Sequence, residues 1–228
     1  MITEQEWLAA TGVIGLDLWR SAKSQHRKWR LFAAACCRRA MSLVTDARLE
    51  SVAGAIEQFA DAEIGWEGMK RIRRTLTAIR REIDDQFGTK EALYDVVESL
   101  NRASSNKPVE VLGADQYAGY AFAARARRSK RQDAWDDANK AEDRRQLILA
   151  RDIFGNPFRP VDFSPAWRTE HTTGIAAKMY DERDFAAMPI LADALEEAGC
   201  ENPDILTHCR EPGIHVRGCW VVDLVLGK

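Results

Sequence analysis

The sequence predicts an all-α protein, an irregular multi-helix bundle with a compact C-terminal helical unit. Apolar residues recur at helical spacing in several segments, most clearly at Met69, Ile72, Leu76, Ile79 and Ile83. A stretch rich in alanine and charged residues runs from about residue 114 to 153, and such residues favour helix. Outside the last dozen residues, no segment has a convincing strand pattern.

The helices follow from local signals in chain order. Thr3 and Glu6 form a capping box that starts the first helix. Apolar spacing then predicts helices over about 16–44, 46–59, 69–87 and 89–100, and Gly88 ends the fourth. The polar segment 101–108 is predicted to be an exposed loop. Residues 114–153 form either one long helix or a helical pair.

Residues 155–160, GNPFRP, end the helical period because two prolines fix φ and remove backbone donors. Further helices are predicted over about 173–180, 184–198 and 203–210. His215 to Leu226 is predicted to be a helix, with a strand over Trp220–Leu226 as the alternative because of its three valines. We therefore expect a bundle over 1–153 and a Pro-rich loop with a C-terminal helical unit over 154–228, packed as one domain.

Composition narrows the class of protein. The chain has 228 residues, a formal net charge of −2 and a pI of about 6.1, so its global charge does not indicate nucleic-acid binding. No apolar run is long enough to span a bilayer, and the basic and apolar stretch near residue 30 starts too far from Met1 for a signal peptide. We expect a cytoplasmic protein with no membrane partner, whose cysteines are free thiols or metal ligands.

The segment from Cys200 to Trp220 holds three of the five cysteines and two of the four histidines. One hypothesis is a structural zinc site, which needs four N or S ligands in a tetrahedron. Its ligands would be Cys200, Cys209, His215 and Cys219, with His208 as a substitute for Cys209. A second interpretation needs no metal: the cysteines are buried small residues and the histidines make local hydrogen bonds.

A third interpretation makes Cys219 or Cys209 a nucleophile, with His215 as base and Asp223 as its orienting group. His215, Cys219 and Asp223 would then lie in one row on a helix, an arrangement that rarely converges on a substrate. Familiar nucleotide-binding, zinc-protease and hydrolase motifs are absent from the sequence.

Residues that bind a ligand or partner are expected on the Pro-rich loop and on two basic helix faces. Asn156 and Arg159 lie on the rigid loop, where they either serve a ligand or hold the loop to its neighbours. Basic helix faces are the other place, since seven Lys/Arg and no acid fall between Arg20 and Ala40 and a second set follows residue 69. The arginines singled out on these faces are Arg27, Arg30, Arg38, Arg71 and Arg74.

Four segments resemble an uncharacterised bacterial paralogous family. They are Met1 to Leu8 (MITEQEWL), Arg30 to Arg39 (RLFAAACCRR), Arg151 to Val161 (RDIFGNPFRPV) and the tail from Tyr180 to Lys228, with its HCR and HVRGCWVVDLVLGK motifs. No activity comes with the resemblance, so it assigns no site residue. It implies only that the loop and the tail form one unit.

The sequence as a whole favours a non-enzymatic helical module that binds another protein and carries either no cofactor or one structural zinc ion. The first alternative is a zinc-stabilised helical domain that binds nucleic acid through its basic helix faces. The second is a thiol-dependent enzyme.

Overall fold

A computed structural model describes residues 3–13, 25–84, 91–111, 113–126 and 133–228. Within these ranges the regular structure is helical and there is no strand, which confirms the all-α class. The α-helices are α1 (Glu4–Ala9), α2 (His26–Met41), α3 (Arg48–Ala60), α4 (Trp66–Asp84), α5 (Glu91–Ala103), α6 (Pro108–Val111), α7 (Ala114–Ala126), α8 (Ala134–Phe154), α9 (Glu170–Glu182), α10 (Met188–Glu197), α11 (Pro203–Arg210) and α12 (Trp220–Leu226). None of the helices in these ranges is long and apolar enough to cross a lipid bilayer.

The chain divides into two compact units, Met1–Ile148 and Leu149–Lys228, and the boundary falls inside α8. In the first unit, α2 packs against α3, α5 and α7. Its apolar face is fully buried around Phe32, Cys36 and Cys37. Cys37 Sγ lies 3.0 Å from Ser99 Oγ, so this cysteine is a packed core thiol as the helical spacing predicts.

Two helix predictions extend beyond the described residues. The second helix is described from His26, and the predicted residues 16–24 lie outside the description. The fourth is described to Asp84, so the predicted stop at Gly88 also lies outside.

The alanine-rich stretch is a helical pair rather than one helix, because Gln146 Nε2 of α8 donates a 2.9 Å hydrogen bond back to the Asp115 carbonyl of α7.

The prediction of an exposed loop over 101–108 is wrong at its centre. Ser104 and Ser105 are buried, and the guanidinium of Arg30 donates 2.7 Å hydrogen bonds to the carbonyls of Ala103 and Ser105. A buried cation thus satisfies the carbonyls at the end of α5, which have no partner within the helix.

The second unit consists of the end of α8, a 3-10 turn at Pro165–Trp167 and helices α9 to α12. Its apolar core contains Met179, Tyr180, Leu191 and Val222, together with the three cysteines of the tail. The last helix begins at Trp220 rather than His215, and the strand alternative is wrong. Residues 211–219 have no regular structure, and within them the backbone N–H of Val216 bonds to the Asp152 carboxylate instead of to a helical carbonyl.

Candidate metal centre

Asp152 is the carboxylate of a polar cluster in the second unit. It lies in the last turn of α8, and its side chain is 3% exposed. Its Oδ1 lies 2.7 Å from Nδ1 of His215, and its Oδ2 accepts a 2.9 Å hydrogen bond from the backbone N–H of Val216. Burial alone would raise the pKa of this carboxyl, but hydrogen bonds with His208 and His215 hold the pKa below its usual value. The side chain is therefore ionised, and both of its oxygens are held in place by neighbouring groups.

His208 reaches the same cluster from α11. The Asn202 side chain caps the start of this helix and Pro203 occupies its first position, as the Asn-Pro pair predicts. His208 then lies near the C-terminal end of α11. Its Nε2 lies 3.3 Å from Oδ1 of Asp152 and 3.2 Å from Sγ of Cys219.

Cys219 supplies the sulfur of the cluster from the residue before α12. Its side chain is fully buried, and its Sγ lies 3.9 Å from Nδ1 of His215. Burial raises the pKa of this thiol well above its usual value, and the negative charge of Asp152 raises it further. The sulfur is therefore a neutral thiol unless a positive charge is placed beside it.

The ligand atoms of Asp152, His208, His215 and Cys219 all lie within 4.8 Å of one another. Zinc bonds of about 2.0–2.1 Å to N or O and about 2.3 Å to S imply tetrahedral edges of about 3.3 and 3.6 Å. The four edges given above, from 2.7 to 3.9 Å, lie around these lengths. The cluster is therefore a buried group that could hold a metal ion.

The contacts of the two histidines distinguish a ligand set from a proton relay. In a nucleophile–base–carboxylate relay, the base uses one ring nitrogen for the nucleophile and the other for the carboxylate. In this cluster Nε2 of His208 faces both Asp152 and Cys219, and Nδ1 of His215 does the same. Two nitrogens, one oxygen and one sulfur thus converge on a common point, as ligands do.

Trp220 lies against the outer side of the cluster. Its ring centroid is 5.1 Å from that of His208, whose ring also meets the ring of His215 edge-on at 4.9 Å. His208 is the most exposed member, with 20% of its side chain accessible, whereas His215 is 9% exposed. The aromatic contact therefore lies at the edge of the cluster that is nearest to solvent.

The cluster differs from the zinc ligands predicted from sequence. His215 and Cys219 belong to it, and His208, the predicted substitute, is a full member. Cys200 and Cys209 are outside it and are buried in the apolar core of the second unit. Burial raises the pKa of Cys209 to about 12, so this thiol is a small core side chain. For these two cysteines the interpretation without a metal describes the structure better than the zinc hypothesis.

His215 and Cys219 also meet for a different reason than the one predicted. The sequence predicts that His215 and Cys219 share one face of a helix. In the structure both residues precede α12, and an irregular segment brings them together. The expected row of His215, Cys219 and Asp223 on one helix is therefore wrong.

Sequence reasoning missed Asp152. The signal that could have found it is a lone acid among Leu149, Ala150, Ile153 and Phe154, all of them buried. Burial of an ionised carboxylate is costly unless partners compensate it, so an acid in an apolar turn indicates a polar or metal site.

The predicted loop residues lie elsewhere in the second unit. Asn156 Oδ1 accepts a 3.0 Å hydrogen bond from the N–H of Phe158, and the N–H of Arg159 donates to the Asn156 carbonyl at 3.1 Å. Asn156 thus stabilises the turn itself, which fits the structural interpretation of this loop. Arg159 is exposed.

The first predicted basic face is largely occupied by contacts within the protein. Arg27 pairs with Asp61 at 2.7 Å, and Arg38 pairs with Glu57 at 2.6 Å. Arg30 is buried, and burial lowers the pKa of its guanidinium to about 10. Arg27, Arg30 and Arg38 are therefore residues that stabilise the first unit.

Part of the second basic face remains exposed, whereas Arg73 bonds to Asn101 and Arg80 pairs with Glu98. Arg71 and Arg74 lie on α4, and Arg81 lies two turns further along the same side. Within the part of the chain that the structure describes, none of the three has an ion pair or hydrogen-bond partner. We call these three residues the α4 arginine stripe. It spans about 15 Å at the helical rise of 1.5 Å per residue.

No protein-family model, curated protein or solved structure matches this chain. The resemblance to a bacterial paralogous family stays a prediction.

Proposed function

We propose that this chain is a non-enzymatic helical protein whose C-terminal unit is held together by one zinc ion. The observation that carries the proposal is the convergence of four ligand atoms from separate segments of that unit. Asp152, His208, His215 and Cys219 would bind the ion, whose positive charge would favour the Cys219 thiolate. Two anionic and two neutral ligands would balance the charge of Zn²⁺ in a buried, closed site.

The mixed donor set supports zinc over hard cations. Mg²⁺ and Ca²⁺ take oxygen ligands, whereas Zn²⁺ binds imidazole nitrogen, thiolate and carboxylate in one tetrahedron. A structural role fits because all four ligands come from the protein and three of them are nearly or fully buried. A reducing compartment such as the cytoplasm would keep the Cys219 thiol available.

Zinc content of matched cysteine variants tests this proposal. We expect about one zinc per chain in the wild-type protein and in Cys200→Ala and Cys209→Ala. We expect none in Cys219→Ala. The two controls remove equally buried sulfurs of the same unit that lie outside the cluster. Zinc that remains bound to the Cys219→Ala protein would contradict the proposal. So would a wild-type protein that contains no zinc after expression in zinc-supplemented medium.

We propose further that the α4 arginine stripe binds an acidic segment of a partner protein. Its three guanidinium groups are exposed and unpaired within the described residues. Nucleic acid is the weaker candidate, because Arg27, Arg30 and Arg38 of the first basic face are engaged within the protein.

Binding of a fluorescent acidic peptide and of an equally long single-stranded oligonucleotide separates the two partners. We expect the peptide to bind more tightly, and the triple variant Arg71→Ala/Arg74→Ala/Arg81→Ala to lose that binding. Arg210→Ala is the control, since Arg210 is an exposed arginine that already pairs with Asp193 and Glu196. Tighter binding of the oligonucleotide that depends on the same stripe would establish the nucleic-acid alternative instead.

A further inference from the structure

Trp220 touches the segments that carry three of the four candidate ligands. It follows Cys219 directly in the chain and begins α12. Its indole packs on the ring of His208, with 5.1 Å between the ring centroids. It also lies against Gly155, which is three residues beyond Asp152 in the turn that ends α8.

Gly155 makes the approach of the indole possible. Its φ is +64°, a conformation that residues with a side chain rarely adopt. A Cβ at this position would lie only 3.1–3.3 Å from three atoms of the Trp220 side chain. The N–H of Gly155 also bonds to the Arg151 carbonyl at 2.9 Å, so the glycine is tied to the last turn of α8, where Asp152 lies.

We propose that Trp220 is a positioning residue of the metal centre and that Gly155 is the surface against which it rests. The inference depends on the zinc site proposed above. His208 is the ligand most exposed to solvent, so it is the ligand that most needs an outer contact to fix its ring. The indole restricts that ring from one side, while Gly155 holds the indole close to the turn that carries Asp152. Outer-shell hydrogen bonds that orient a ligand typically change metal affinity by about 10–100-fold, and we expect the packing of the indole on His208 to act at the lower end of that range.

The experiment measures zinc affinity by competition with a chromophoric chelator, and site geometry by the absorption spectrum of the Co²⁺-substituted protein. We expect Trp220→Ala to weaken zinc binding at least about 10-fold and to alter the cobalt spectrum. Trp220→Phe should restore most of the affinity, because a smaller ring still packs on His208. Trp167→Ala is the control, since Trp167 is a partly buried tryptophan of the same unit that meets the ring of Phe163 edge-on instead.

Two glycine variants separate backbone strain from the loss of this contact. Gly155 and Gly199 both have positive φ, but a Cβ at Gly199 would meet nothing within 4 Å. Both alanine variants therefore carry the backbone strain, and only Gly155→Ala also displaces the indole. We expect weaker zinc binding and an altered cobalt spectrum for Gly155→Ala, and wild-type values for Gly199→Ala.

The outcomes distinguish this inference from the zinc proposal. If the wild-type protein binds no zinc, both fail together. If the wild-type protein binds zinc and either Trp220→Ala or Gly155→Ala matches its affinity and cobalt spectrum, the positioning role is wrong and the zinc site stands. If Trp220→Ala does not fold, the comparison of Gly155→Ala with Gly199→Ala still decides the matter.

Discussion

The Nε2 atom of His208 lies 3.3 Å from Asp152 Oδ1 and 3.2 Å from Cys219 Sγ. A single nitrogen thus faces an acid and a thiol that are 67 positions apart in the chain. In the metal-free protein an Nε2–H can donate to both groups, since the carboxylate and the sulfur can each accept. If the zinc ion proposed above lay between them, the deprotonated nitrogen, the carboxylate and the thiolate could all act as electron-pair donors to it.

Asp152→Asn tests the carboxylate ligand while it preserves the shape of the side chain. We expect zinc affinity to fall more than about 100-fold. Loss of a residue that only orients a ligand lowers metal affinity by about 10–100-fold, and loss of a ligand itself should lower it further. The melting temperature of the zinc-loaded protein should fall as well, because metal binding adds to the free energy of unfolding. Calorimetry with and without zinc measures both effects.

Asp184→Asn is the matched control for this variant. Asp184 is an exposed acid of the same unit that accepts a hydrogen bond from the N–H of Ala186. It should keep wild-type zinc affinity. An Asp152→Asn protein that binds zinc as tightly as this control would remove Asp152 from the ligand set.

Zinc affinity should fall steadily as the pH is lowered through the whole range below the raised pKa of the Cys219 thiol. The pKa of Cys219 is raised in the metal-free protein, so its thiol must release a proton when zinc binds. Isothermal titration in buffers of different ionisation enthalpy counts the released protons. We expect the Cys219 thiol to release about one proton per zinc at pH 8, because its raised pKa keeps it protonated in the metal-free protein. Zinc binding with no proton release would show that the sulfur is not a ligand.

Arg30 and Arg71 should differ sharply in their effect on stability. Arg30→Ala leaves the carbonyls of Ala103 and Ser105 without their donor and removes a cation that lies 4.6 Å from the Phe59 ring centroid. We expect a loss of about 3 kcal/mol in the free energy of unfolding. Arg71→Ala removes an exposed side chain and should change it by less than about 0.5 kcal/mol. Urea denaturation measures both, and equal losses would contradict the structural role of Arg30.

Alkaline pH should destabilise the first unit through Cys37. Burial raises the pKa of this thiol from 9.0 to about 12, so the unfolded chain loses its proton at lower pH than the folded protein does. The stabilising contribution is complete below pH 9 and disappears as the pH rises towards 12. At pH 10.5 the loss is about 2 kcal/mol.

Cys37→Ser is the comparison for this effect, because a hydroxyl can keep the contact with Ser99 and does not titrate in this range. Urea midpoints at pH 8 and 10.5 should move closer together in the variant than in the wild-type protein. An identical shift in both proteins would show that the Cys37 thiol does not titrate as its burial requires.

Local patterns were enough to predict most helices. The Asn202-Pro203 start of α11, the apolar stripe of α4 and the buried pair Cys36 and Cys37 all follow from spacing and capping within a few residues. The start of α12 did not follow, because His215 and Val216 are held by Asp152, a residue far away in the chain. Contacts at that distance leave no local pattern.

The site was predicted only in part for the same reason. The density of cysteine and histidine indicated His208, His215 and Cys219, but it also drew in Cys200 and Cys209, which the apolar core of the second unit buries. Nor does a count of basic residues reveal which of them are paired. Arg27 and Arg38 meet acids from α3 and its C-terminal end, whereas Arg71 and Arg74 remain exposed.

X-ray absorption at the zinc edge of the purified protein determines how many sulfur ligands the proposed zinc ion has. We predict one zinc per chain with one sulfur at about 2.3 Å and three nitrogen or oxygen ligands at about 2.0–2.1 Å. This pattern corresponds to Cys219 with His208, His215 and Asp152. A zinc ion with two or three sulfur ligands would bring Cys200, Cys209 or both into the site and contradict the proposed ligand set. A protein that binds no zinc would contradict the zinc site itself.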